Sequence, residues 1–178
     1  MKNGKILVGI THGDINGVGY EIILKLFSEP MMLELCTPII YGSPKVATYH
    51  RKAMELTTNF VTIQKGDEAV EGRLNLVDCL TDEVKIDFGQ PSAESGKAAL
   101  AALERAMADY REGLFDVLVT APINKATIQG DGFHFPGHTE YIQERAGEGR
   151  EALMILMNDV LRVALVTTHL PIRDVAQR

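Results

Sequence analysis

A chain of 178 residues, 46% hydrophobic and 24% charged, has the balance of a globular protein and enough length to bury a sizeable core in one domain or one and a fraction. Its net charge of -6, with no basic block, argues against nucleic acid or an acidic membrane surface as partner, while a few local donors still suffice for an anionic metabolite. No apolar run approaches the roughly 18 residues of a membrane span and no secretory signal is visible, so the expected location is the cytoplasm.

Lys5 to Ile10 reads as a short buried strand. Thr11 to Gly19 is a glycine-rich turn, and a helix with Ile22, Ile23, Leu26 and Phe27 on one face follows, ending before Pro30. Pro38 to Tyr41 reads as a second strand. Ser43 is the expected N-cap, and Pro44 the first residue, of a second helix. Phe60 to Ile63 and Leu74 to Val77 are further strands. The clearest helix runs from near Ser92 to Gly113, with Ala99, Leu103, Ala106, Met107 and Tyr110 on one core-facing stripe. Leu114 to Val119 reads as a continuous, buried parallel strand. Ala152 to Met157 and Leu161 to Val166 are two more strands joined by an Asn158-Asp159 hairpin turn, and Pro171 begins a last helix.

Strands alternating with helices imply an α/β fold with a mixed, largely parallel sheet. A domain boundary is expected between Ala121 and Gly137, a Pro- and Gly-rich stretch. Cys36 and Cys79 lack a CxxC spacing and adjoin apolar residues, which reads as two buried free thiols.

Polar, ligand-capable side chains fall where apolar strands run out, and open α/β proteins build sites at such places. Gly13, Gly17 and Gly19 match neither GxGxxG nor the phosphate loop; they serve either close ligand approach or a tight turn. Asp14 and Asn16 either orient a ligand or cap that turn. Asn124 and Lys125 follow the strand through Val119 and the Pro122 turn. Lys125 there is placed to bind a phosphate or carboxylate, or to act as an acid or base. His138 and Thr139, after Pro136-Gly137, put an imidazole and a hydroxyl at a helix start, a clamp for a small anion. Pro136 and Gly137 make a helix carrying His134 and His138 as a metal pair improbable. His169 ends a strand, flanked by Thr167 and Thr168, and suits a single metal ligand, although the chain offers no second ligand in local register. His12 and His50 lack a partner pattern and read as structural or exposed.

Together, VTAPINK (119–125), PGHTEYI (136–142) and LRVALVTTHLPIRDV (161–175) resemble the 4-hydroxythreonine-4-phosphate dehydrogenase family of vitamin B6 biosynthesis. The opening ITHGDINGVGYEIILK is similar to that family's TxGDPAGIGPEI, with Ile15 and Tyr20 where prolines are usual. The resemblance implies a three-layer α/β/α fold similar to isocitrate and isopropylmalate dehydrogenases, with two domains around a cleft. Residues 1–125 would belong to the first domain and 126–178 to a truncated second. It implies a homodimer with its site shared between subunits, and two cofactors: NAD and a divalent metal (zinc, magnesium or cobalt). His138 and Thr139 fall on the family's substrate-binding pair, and His169 on the first of its three metal-ligand histidines.

The implied reaction is oxidation and decarboxylation of 4-phosphohydroxy-L-threonine to 3-amino-2-oxopropyl phosphate. The general base stays unassigned, with Lys125 a candidate by position only. Family members are roughly twice this length, so the chain reads as an N-terminal fragment, expected to be inactive alone. Two other functions remain open: a related dehydrogenase of phosphorylated threonate or erythronate, and a non-catalytic domain that binds a phosphorylated metabolite.

Overall fold

The computed structural model of the chain describes residues 4–81, 83–130, 132–168 and 170–177. They form two compact units, Met1–His138 and Thr139–Arg178. No helix among the described residues is long and apolar enough to cross a membrane.

The first unit is a doubly wound α/β layer structure. Its strands are β1 (Ile6–Thr11), β2 (Cys36–Gly42), β3 (Phe60–Ile63), β4 (Leu74–Asp78) and β5 (Val117–Thr120). They lie in the order β3-β4-β2-β1-β5, and every neighbouring pair is parallel. Alternation along each strand divides the core between the two faces. Ile10, Ile40, Leu74 and Leu76 face the buried side of α1 (Gly19–Leu26) and α3 (Pro44–Ala53). Leu7, Ile39, Tyr41 and Val77 face Ala102 and Ala106 of α4 (Ala93–Arg111) on the other side. The three-layer α/β/α expectation therefore holds; the mixed, largely parallel sheet that was expected is a wholly parallel five-stranded sheet among the described residues, with the antiparallel pair separate from it.

Several local expectations need correction. The buried stripe of α1 is Gly19, Tyr20, Ile23 and Leu24, continued by Phe27, whereas Ile22 and Leu26 face solvent. That helix starts at Gly19, which rotates the stripe one residue from the expected one. Pro30 starts a further helix, α2 (Pro30–Leu35), as its first residue. The run 114–119 is not a buried strand throughout. Phe115 is buried beneath Gly9, whereas β5 begins only at Val117 and leaves Val117 and Val119 half exposed. β5 is the edge strand of the sheet, with no further strand beyond it among the described residues of the unit. Tyr110 likewise lies half exposed at the end of the α4 stripe.

Ser92 caps α4 by accepting a hydrogen bond from the Ser95 amide at 3.0 Å. Asp109 on α4, 2% exposed, accepts from the Tyr41 hydroxyl (2.9 Å), the Gly66 amide (3.2 Å) and Arg105 Nε (3.1 Å), tying α4 to β2 and to the turn at Gly66. Cys36 and Cys79 are free and only partly exposed. Burial pushes the Cys79 thiol up to about 12, which keeps it protonated and unreactive.

After β5 come the short helix α5 (Lys125–Ile128) and then α6 (His138–Ala146), at whose start the two units divide. In the second unit β6 (Ile155–Met157) pairs antiparallel with β7 (Arg162–Ala164) as a separate two-stranded ladder. The expected hairpin is present, but its strands are shorter and its turn spans 158–161. Asn158 Oδ1 accepts from the amides of Val160 (2.9 Å) and Leu161 (2.8 Å), which draws Val160 into the turn. The segment after Pro171 is a 3-10 turn over Ile172–Gln177 rather than an α-helix.

Candidate functional site

The chain order reverses at β1, with β2 on one side and β5 on the other. In open α/β sheets ligands settle at the carboxyl ends of the strands at such a point. Here those ends are Thr11–Asp14 and Ala121–Asn124, and backbone fills the gap between them. Gly13 has φ +74°, and a Cβ there would run into the Pro122 carbonyl. A Cβ on Gly19 would run into the His12 carbonyl. The Asp14 amide donates to the Pro122 carbonyl at 2.9 Å, and the Ala121 amide to the Thr11 carbonyl at 3.0 Å. These two glycines permit contact of backbone with backbone, and this resolves their role in favour of the tight turn.

The polar residues of that turn are engaged in holding it. Asp14 Oδ1 accepts from the Asn16 amide at 2.9 Å, an Asx turn. Asn16 is buried; its Nδ2 donates to the Gln90 carbonyl at 2.8 Å and its Oδ1 accepts from the Asp87 amide at 2.9 Å. It thereby pins the long loop between β4 and α4. Two open cavities of about 280 and 190 Å³ border that loop, and neither is lined by Lys125 or His138.

His12, expected to be structural or exposed, is structural. It is fully buried, and neither ring nitrogen has a hydrogen-bond partner; Thr11 Oγ1 beside it is equally unpartnered. The ring stacks on Tyr20 at 5.1 Å and 11°. Burial pushes its pKa down to about 4, and the neighbouring His50 pushes the same way. Backbone groups of Ala98 and Gly13 favour the charged ring without completing a hydrogen bond to either nitrogen. His50 is also fully buried, with Nε2 2.7 Å from the Ile15 carbonyl. A carbonyl only accepts, so Nε2 carries the proton. The structural reading of both histidines holds.

Asn124 is the N-cap of α5, its Oδ1 accepting from the amides of Ala126 (3.0 Å) and Thr127 (3.3 Å). Its side chain is thus occupied, while Lys125 next to it is exposed and, among the described residues, meets no carboxylate or hydrogen-bond acceptor. The chain then folds back. Gly130 bridges to Phe133, and Gln129 Nε2 donates to the Phe135 carbonyl at 2.8 Å, before α6 opens at His138. His134 is exposed and lies outside any helix.

His138 is partly buried and its Nε2, shielded from solvent, has no partner. Burial first, and the Lys125 ammonium second, hold its imidazole below the usual range, so the ring is neutral at neutral pH. Within the first unit the Lys125 charge acts on the His138 ring.

Thr139, second residue of α6, is partly buried. Within the second unit, Thr167 and Thr168 border an open cavity of about 500 Å³, shared with Glu151, Val166, Leu170 and Val175. The predicted metal ligand His169 lies outside the described residues. Among those described, no three His, Cys, Asp or Glu side chains are grouped to hold a metal ion.

Comparison with known proteins gives this arrangement a context. Residues 34–178 match the family described as "Pyridoxal phosphate biosynthetic protein PdxA". The chain belongs to the PdxA family. It is 64% identical over 176 residues to the 4-hydroxythreonine-4-phosphate dehydrogenase of Bacteroides thetaiotaomicron, covering 99% of this chain and 48% of that protein. It is 32% identical to the D-threonate 4-phosphate dehydrogenase of Cupriavidus necator, covering 97% and 52%. Among solved structures, the 4-hydroxythreonine-4-phosphate dehydrogenase of Burkholderia phymatum superposes with a TM-score of 0.88 at 31% identity, covering 99% of this chain and 54% of that one. The chain spans about half the length of the curated relatives it matches.

Proposed function

We propose that this chain forms part of an NAD-dependent, divalent-metal-assisted dehydrogenase that oxidises and decarboxylates 4-phosphohydroxy-L-threonine to 3-amino-2-oxopropyl phosphate. The observation that carries this reading is the 64% identity to a relative named for that activity, maintained over 99% of the chain. His138 and Thr139 are assigned to substrate; the general base is left unassigned, with Lys125, after β5, a candidate by position for that role or for holding the anionic substrate. The metal would acidify the substrate hydroxyl and polarise the ketone that forms from it. The described residues do not assemble a metal donor set, and His169, the assigned ligand, lies outside them. The chain's own derivable contribution is therefore to bind and orient: a cation and a neutral imidazole fix the anionic end of the substrate. The expected assembly is a cytoplasmic homodimer with a site shared between subunits.

The Cupriavidus necator relative supports a second reading, a dehydrogenase of phosphorylated threonate, because it aligns over 97% of this chain. A third, a phosphometabolite-binding domain without catalysis, draws on Lys125 and His138 alone. A substrate panel with NAD, magnesium or zinc and the full-length protein that contains this chain tests all three. The first reading expects NADH formation and carbon dioxide release with 4-phosphohydroxy-L-threonine at a kcat/KM well above that for 4-phospho-D-threonate. A reversed preference selects the second reading, and binding without turnover of either compound selects the third.

A further inference from the structure

We propose that the N-terminus of α3 and the cavity beside it form a phosphoryl-binding site for a phosphate monoester with a planar ring, in which the Ser43 hydroxyl and the amides of Lys45 and Val46 hold the phosphoryl oxygens and the ring lies against Tyr49. The inference goes beyond the reading above and does not rest on it, because no residue assigned there to substrate lines this cavity.

The cavity, about 190 Å³, lies where β2 ends at Gly42 and α3 begins. Ser43, Lys45, Val46 and Tyr49 line it from α3 and its N-cap, and Glu83 and Val84 line it from the loop after β4. α3 is ten residues long, so its peptide dipoles converge on this end. Pro44 at the first position has no amide. The Ala47 amide already bonds the Ser43 carbonyl at 2.9 Å. The amides of Lys45 and Val46 are left without an acceptor among the described residues, as first-turn amides are unless something caps them.

Ser43 is what distinguishes this helix end from an ordinary one. It is 6% exposed, yet its hydroxyl neither caps α3 nor meets another partner among the described residues. Its amide is held by the Tyr20 hydroxyl at 2.8 Å, which fixes the backbone that carries it. A buried, unpartnered hydroxyl thus borders the same space as two open amides. Three donors at a helix N-terminus match the oxygens of a phosphoryl group, and hydrogen bonds to its charge are stronger than those to a neutral acceptor.

Lys45 adds a cation. Its ammonium pairs with Glu83 at 2.7 Å, and both side chains are exposed, so the pair is weak. Glu83 is the one carboxylate among the described residues lining the cavity. A phosphoryl dianion competes with it for the ammonium, and Glu83 then turns to solvent. Tyr49, 48% exposed, packs on Phe88 with ring centroids 5.6 Å apart, which leaves an aromatic face beside the donors. Binding changes no covalent bond.

The test is isothermal titration calorimetry on the full-length protein that contains this chain, with inorganic phosphate and phenyl phosphate as probes at fixed ionic strength. Wild type should bind both, phenyl phosphate several-fold more tightly, and Y49A should remove that difference. S43A should weaken both probes about tenfold, the loss expected for one hydrogen bond to a charged group. E83Q should tighten both, because the competing carboxylate is gone. S43D is the decisive variant. Aspartate is a good N-cap, so the melting temperature should hold or rise, while its carboxylate takes the open amides and repels the anion. Binding at His138 and Thr139 would survive these changes, so the component lost in S43D is the one that reports this site.

Affinities unchanged in S43A and S43D would place the anion elsewhere and overturn the site, as would no binding to wild type. Equal affinity for the two probes, both lost in S43D, would keep the phosphoryl donors and overturn the ring contact. If S43D melts lower than wild type, S43A and E83Q decide, and unchanged affinities in both overturn the site.

Discussion

Replacing His12 with phenylalanine should remove most of one pH-dependent component of stability. The ring is fully buried with both nitrogens unpartnered, and burial lowers its pKa from 6.5 to about 4. In the unfolded chain the same imidazole titrates near 6.5. Between these two values the unfolded state binds more protons than the folded one, so stability rises with pH across that window. His12 therefore imposes no penalty above about pH 6.5, and its penalty grows as pH falls towards 4. One pKa unit corresponds to about 1.4 kcal/mol, so the drop from 6.5 to about 4 amounts to roughly 3 kcal/mol.

Other groups also titrate in that range, His50 and His138 among them in the same direction. The informative quantity is thus the difference between wild type and H12F, measured by urea unfolding at several pH values from 8 to 4. Phenylalanine keeps a flat ring against Tyr20 and has nothing to protonate. The wild type should lose about 3 kcal/mol more than H12F over that interval. Parallel stability–pH curves for the two proteins would refute the argument, and would mean that a buried water or a backbone shift satisfies the imidazolium.

Asp109→Ala should cost about 3–5 kcal/mol in urea unfolding, because it leaves Arg105, the Tyr41 hydroxyl and the Gly66 amide without their shared acceptor. Gly19→Ala should destabilise by about 3 kcal/mol, since its Cβ meets the His12 backbone, whereas Gly72→Ala, with φ +71° and open space around it, should cost about 1 kcal/mol. A smaller loss at Gly19 than at Gly72 in thermal melts would contradict this. In the full-length enzyme, His138→Ala should raise KM for the phosphorylated substrate by tenfold or more while changing kcat less, because the residue is assigned to binding; steady-state kinetics with saturating NAD would show a kcat-dominated loss if that assignment were wrong.

The fold was legible where pattern alone decides it. Short apolar runs at Ile39–Tyr41 and Leu74–Val77, and the alanine-rich stripe of α4 with its Ser92 cap, carry unambiguous periodicity. The misread segments are those whose burial depends on neighbours. Nothing in Val117–Val119 announces an edge strand, because edge position is set by topology rather than composition. The stripe of α1 depended on where Gly19 starts the helix, a boundary that close backbone packing determines.

At the candidate site, Lys125 and His138 were legible because each follows a Pro or Pro-Gly break at an element start. His12 was not. Its significance comes from being sealed among Tyr20, Gly42 and Ala98, contacts that no local pattern encodes. The one available signal was its place directly after an apolar strand, where a polar side chain is either exposed or forced inward.

The two departures from the family's opening pattern, Ile15 and Tyr20, find a common physical account in those contacts. A proline near a helix start fixes φ and withholds an amide that would otherwise need a partner. Here side chains fix the loop instead. The Tyr20 hydroxyl accepts from the amide of Ser43, the N-cap residue of α3, at 2.8 Å, which ties α1 to the start of α3. His50 on α3 returns the link by donating to the Ile15 carbonyl. Tyr20 lies between the two imidazoles, 5.1 Å from each centroid. Gly42 makes room for it, since a Cβ there would collide with the hydroxyl. These residues presuppose one another: the phenol needs the glycine, the stack needs both rings, and the Ile15 carbonyl needs His50. What proline achieves by restricting one backbone angle, this chain achieves by tying two helices across the end of β1. Burying His12 in that tie is also the origin of the pH sensitivity worked out above.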